Sequence, residues 1–65
     1  MKVNKNKIAL AMLNVGINNQ KILAEKADLN VNTVSAMMRG ASAKIESIAK
    51  IAQALNIDPA ELLED

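Results

Sequence analysis

No long stretch of the 65 residues alternates apolar and polar side chains with period two, and no long run of β-branched residues occurs. Apolar positions recur instead at three- and four-residue intervals from one end to the other, the repeat of a helix surface. The pattern predicts an all-α chain. A length of 65 residues fits one domain over residues 1–65, and a domain that small buries only about 60% of its unfolded surface. Its core must be aliphatic, because Phe, Tyr and Trp are absent and the apolar half of the composition is Ala, Ile, Leu, Val and Met. With 51% hydrophobic and 23% charged residues, the balance is that of a folded globule and not of a disordered tail.

The spacing predicts five helices. The first runs from about Asn4 or Lys5 to Asn14, with Ile8, Ala9, Met12 and Leu13 on its inner side, and Gly16 stops it. The second starts near Asn18 or Asn19, either of which can accept a bond from an orphan backbone N–H, and presents Leu23, Ala24 and Ala27. Asp28, Leu29 and Asn30 form a short turn, and Asn30 caps a third helix over Val31–Met38 that ends before Gly40. A fourth covers about Lys44 to Leu55, with Ile45, Ile48, Ala49, Ala52 and Leu55 as its stripe and Asn56 as a left-handed terminator. Asp58–Pro59–Ala60–Glu61 then opens a fifth: Asp58 caps, Pro59 sits where its missing N–H costs nothing, and Glu61 completes a capping box.

Several functions are disfavoured by what is absent. Without cysteine there is no disulfide and no thiolate for zinc, and without histidine the commonest general base and metal ligand are missing. Ser35, Ser42 and Ser47 have no imidazole to activate them, the carboxylates are dispersed, and two glycines cannot make a phosphate-cradling loop. No catalysis and no cofactor are expected. No apolar run reaches the roughly 18 residues of a membrane span or forms a signal peptide, so a cytoplasmic protein off the membrane is expected.

The net charge of +1 conceals an uneven distribution. Residues 1–44 carry seven basic side chains against Glu25 and Asp28, a net of +5, whereas residues 45–65 carry Lys50 against five carboxylates, a net of −4. A basic surface facing a polyanion and an acidic end facing elsewhere would have this character. Within the basic part, Gln20–Gly40 places two helices on either side of a three-residue turn, the layout of a helix-turn-helix. Ala24 should lie at the crossing, Leu29 should plug the turn, and Val34 and Met37 should anchor the third helix inward. Val31, Asn32, Ser35 and Ala36 are then left on an outward face without charge, unlike an ordinary solvated helix surface. Lys2, Lys5 and Lys7 read equally as a basic arm and as a solvated terminus.

In Gln20, Leu23–Ala24–Glu25–Lys26, Leu29–Asn30, Thr33–Val34–Ser35 and Arg39–Gly40 the chain resembles the lambda-repressor-like (Cro/repressor type) helix-turn-helix family. Ile51–Ala52–Gln53–Ala54–Leu55–Asn56–Ile57 and Glu61–Leu62–Leu63 resemble its fourth and fifth helices, so the likeness spans nearly the whole chain. Two departures stand out: one extra residue separates Gly16–Ile17 from Leu23–Ala24, and Ile22 stands where the family often has a polar side chain. The resemblance implies double-stranded DNA as partner. Val31, Asn32, Ser35 and Ala36 would face base edges, while Gln20, Asn30, Thr33, Arg39, Ser42 and Lys44 would lie near the backbone. The chemistry agrees, since Asn can pair with an adenine edge, Val and Ala methyls suit the thymine methyl, and Lys, Arg and helix N-termini suit phosphates.

Regulators of this layout read palindromic operators as dimers, and the last helix is the element left to join two copies, through Ile57, Leu62 and Leu63. Few leucines imply a weak homodimer in the absence of DNA. Leu62 and Leu63 can alternatively close the monomer's own core. The competing function for the same fold is a protein-interaction module, such as an antitoxin or an anti-repressor partner. A basic rim of Lys21, Lys26, Arg39 and Lys44 around the third helix favours DNA.

Overall fold

The computed structural model describes residues 1–63. Glu64 and Asp65, part of the acidic end, lie outside the described residues. Four α-helices follow one another, α1 (Lys5–Val15), α2 (Gln20–Ala27), α3 (Val31–Met38) and α4 (Ile45–Leu55), and a 3-10 turn (Pro59–Leu62) closes the chain. The expected fifth helix is therefore a single tight turn. Its start is as the sequence predicts, with the Asp58 and Glu61 side chains both engaged in a capping box and Pro59 at the first position. It stops because Leu63 is already extended and pairs with Val3 in an isolated antiparallel bridge.

One device ends all four α-helices and lets them fit into so few residues. Gly16, Asp28, Gly40 and Asn56 each take a left-handed conformation, with φ of 76°, 58°, 97° and 60°. The next residue's N–H then reaches back five positions: Ile17 to the Met12 carbonyl, Leu29 to Ala24, Ala41 to Ala36 and Ile57 to Ala52, at 2.9–3.0 Å. This is the Schellman arrangement, which satisfies orphan carbonyls and turns the following apolar side chain back towards the helix it has left. Ile17 is buried, and Leu29 and Ile57 pack against the core in this way. Asp and Asn tolerate the left-handed region better than other non-glycine residues. At the opposite ends, Asn4, Asn19 and Asn30 accept backbone N–H bonds as N-caps, whereas Lys44 precedes α4 without a side-chain cap bond.

The core runs through every element. Ile8, Met12, Ile17, Leu23, Ala24, Val34, Met37, Ile48, Ile51, Leu55 and Leu62 are all buried in it. The α2 helix packs on α3 and α4, and the terminal turn fits between α1 and α4. In α2 and α3 the inward residues are the expected ones, Leu23, Ala24, Ala27, Val34 and Met37. Two stripes are corrected. On α1, Ile8, Ala11 and Met12 face in, while Ala9 is exposed and Leu13 is 76% exposed. On α4, Ile48, Ile51, Ala52 and Leu55 face in with Ser47, while Ala49 is exposed and Ile45 is 72% exposed. In both helices two overlapping rows have helical spacing, and the row that wins is the one continued by the chain beyond. Ile17 extends the Ile8–Met12 row, and Leu62 meets the face of α4 that carries Leu55. Ile22 is half-buried and packs against the core, so the family departure at that position adds a core contact.

Candidate nucleic-acid interface

The α3 helix owes its placement to its neighbours. Val34 and Met37 fix its inner face in the core, and Leu29 packs beneath the turn that precedes it. The Asn30 side-chain oxygen accepts from the Asn32 N–H at 2.8 Å. That bond commits the acceptor end of the Asn30 amide and leaves its NH2 as the group able to reach outward. Asn30 is thus a cap first, and both readings of it are compatible.

On the outer face, Val31 is 40% exposed, Asn32 and Thr33 are exposed, and Ser35 and Ala36 are half-buried. Among the described residues no hydrogen bond engages the Asn32 side-chain amide, so both its donors and its acceptor face solvent. Ser35 is different. Its hydroxyl donates to Gln20 Oε1 at 2.7 Å, joining the first residue of α2 to the middle of α3. The Ser35 proton is thereby committed, which leaves its oxygen able only to accept. The Gln20 amide, its oxygen occupied, keeps an NH2 that can donate. One bond therefore orients two of the expected contact residues and ties together the helices that carry them.

Two sides of α3 can be distinguished. On one, Asn32, Thr33 and Ala36 share a groove with Ser42, Lys44 and Glu46, so the loop after α3 brings a hydroxyl and a cation beside the exposed face. On the other, Gln20 and Met38 line a groove whose floor includes Met12 and Ile17. Arg39 does not join Ser42 and Lys44. It lines a separate groove with Lys5 and Asn6, next to Met38. Lys26 also departs from the expected rim, since it borders a groove with Asp28 and Lys50 between α2 and α4.

The expected dimer surface changes most. Leu62 has 0% exposure, because the terminal turn drives its side chain into the core between α1 and α4. It cannot belong to a surface patch. Ile57 and Leu63 are half-buried against the same core, with Ile57 lining a groove together with Leu10 and Ala11 of α1.

Sequence reasoning missed the partner of Ser35, and it also missed the role of the first residues. Val3 is buried, its neighbour Asn4 donates its N–H to the Leu62 carbonyl at 2.6 Å, and the Ala43 N–H donates to the Met1 carbonyl at 2.6 Å. A lone valine ahead of the first helix was the only signal for this.

A comparison with protein families matches residues 7–65 to the Cro/C1-type HTH DNA-binding domain. Comparisons with curated proteins and with solved structures give no match.

Proposed function

Because the chain belongs to the Cro/C1-type family of helix-turn-helix DNA-binding domains, we propose that it is a transcriptional regulator that reads the major groove of an operator with α3. The observation that carries this reading is the outward, uncharged face formed by the exposed Val31 and Asn32 and the half-buried Ser35 and Ala36, flanked by Ser42 and Lys44 on one side and by Gln20 on the other. An α-helix fits the major groove, where a side-chain amide can make two bonds to adenine and methyl groups can meet thymine. Asn32 is the principal base reader in this account, and Val31 and Ala36 supply apolar contact. Ser35 accepts from an exocyclic amine, because its proton is held by Gln20. The Gln20 NH2, the Asn30 NH2, Thr33, Ser42, Lys44 and, from its separate groove, Arg39 hold phosphates and fix the register.

Base reading and phosphate holding separate experimentally. Asn32→Ala is expected to cost about 1–3 kcal/mol on the preferred site and to relax preference at one base pair. Lys44→Ala is expected to weaken all duplexes alike. Selection from random duplexes followed by binding titrations of both variants checks this, and a uniform loss from both substitutions would remove α3's outer face as the reader. A domain held by another protein, and not by DNA, would enrich no sequence at all.

The domain's longest dimension is 25 Å. Half-sites one helical turn apart are about 34 Å from centre to centre, so a palindromic operator requires two copies. Ile57 and Leu63 are the residues of the expected pairing surface that keep some exposure, and their small area fits a homodimer that is weak when free and completed on DNA. Leu63→Glu is expected to lower affinity for a two-site operator while leaving the helical circular dichroism largely intact. Two-site binding as tight as that of the parent protein would exclude Leu63 from the pairing surface.

A further inference from the structure

The first four residues cross one end of the molecule between two segments far away in sequence. On one side the Ala43 N–H donates to the Met1 carbonyl (2.6 Å), and the Met1 nitrogen donates to Ser42 Oγ (3.0 Å). On the other, the Asn4 N–H donates to the Leu62 carbonyl (2.6 Å) and Val3 pairs with Leu63. Between these two edges the Val3 side chain is buried in the core. Apart from the half-buried Ala43 side chain, which packs against the core, the loop on the first edge has little else to hold it. After the Ala41 N–H has closed α3 onto the Ala36 carbonyl, and before α4 begins at Ile45, Lys44 makes no cap bond and Ser42 is exposed. Yet this loop carries the hydroxyl and the cation beside α3.

We propose that Val3 is a positioning residue: it anchors residues 1–4 as a brace that holds the Ser42–Lys44 loop at the height where it meets phosphate. The proposal rests on the DNA-binding reading of that loop. The brace acts on phosphate contact and not on base reading, since Asn32 sits on α3, which Val34 and Met37 anchor independently. The anchoring side chain is an uncharged valine, and the cation within the brace, the Met1 ammonium, is held on Ser42 Oγ and the Ala43 carbonyl.

Val3→Ser loosens the anchor without changing any charge, and Lys2→Ala removes a neighbouring exposed charge without touching the anchor. Amide hydrogen exchange, followed without DNA, is expected to speed up at Ala43 in Val3→Ser relative to amides within α4, and to stay at the parent's ratio in Lys2→Ala. Referring to α4 separates loosening of the brace from general destabilisation, so a less stable variant remains informative. On duplex DNA, Val3→Ser is expected to make the log–log salt slope shallower by about 1 per copy, as loss of one phosphate contact does, with the base preference at the Asn32 position retained. An Ala43-to-α4 exchange ratio unchanged in Val3→Ser would overturn the brace. So would faster exchange at Ala43 with an unchanged salt slope, or a slope change produced by Lys2→Ala and not by Val3→Ser. If the parent protein retains no duplex at low salt, the DNA-binding reading fails, and with it the brace's link to phosphate, whereas the exchange ratio still decides whether Val3 anchors the loop.

Discussion

Replacing Leu62 by alanine is expected to remove most of the domain's stability. A protein of this length has roughly 3–10 kcal/mol in total, and truncating a fully buried leucine costs about 2–5 kcal/mol, the lost transfer energy plus the cavity left behind. Leu62 has 0% exposure and lies where the terminal turn meets both α1 and α4, so its removal empties a place shared by three elements. With no aromatic side chain in the sequence, only aliphatic neighbours remain to relax into the space. The control is Leu13→Ala, which deletes the same atoms from a side chain 76% exposed and should change stability by no more than about 0.5 kcal/mol. Urea titration of both variants by circular dichroism gives the comparison. Equal midpoints would mean that Leu62 is not the core residue described, and a midpoint that rose with protein concentration would point to burial between copies.

The fate of Leu62 shows what could be read from the sequence and what could not. Helix ends were legible, because they are local chemistry. An asparagine or aspartate ahead of an apolar-periodic run, and a glycine or asparagine after it, set the boundaries within a residue or two at Gly16, Asn30, Asn56 and Asp58. The inward residues of α2 and α3 were legible too, since Leu23–Ala24, Ala27, Val34 and Met37 leave only one continuous face each. On α1 and α4 the apolar residues are too many. Ala9 and Leu13 have the same spacing as Ile8 and Met12, and only the path of the chain beyond decides which pair faces inward. Leu62 and Leu63 are adjacent in sequence and point to different environments, and nothing local separates the core residue from its neighbour.

For the candidate site, the outward residues of α3 could be named from its helical phase, but not their state. The bond from Ser35 to Gln20 spans fifteen positions and depends on the crossing of α2 and α3, which spacing does not specify. The separation of Arg39 and Lys26 from Lys44 has the same origin. Three cations in one stretch of sequence are distributed around the surface by the helices that carry them. The Val3 contacts lie at the far end of this scale, since residue 3 meets residue 63 only once every helix is in place.

If this domain holds duplex DNA through its phosphates while α3 reads the bases, its affinity falls steeply with added salt. Each phosphate neutralised by a cation releases condensed counterions, so the slope of log K against log salt counts the contacts. With about four to eight phosphates held by two copies, the slope should be roughly −4 to −7, and affinity should fall by about two to four orders of magnitude between 50 and 200 mM salt. The number rests on about two to four cations per copy, Lys44 and Arg39 first and other lysines after them, since uncharged donors release no counterions, which is why a steeper slope is not expected. A duplex titrated across that range should give a straight line within those limits. A slope near zero, or no retention of duplex at the lowest salt, would contradict the account.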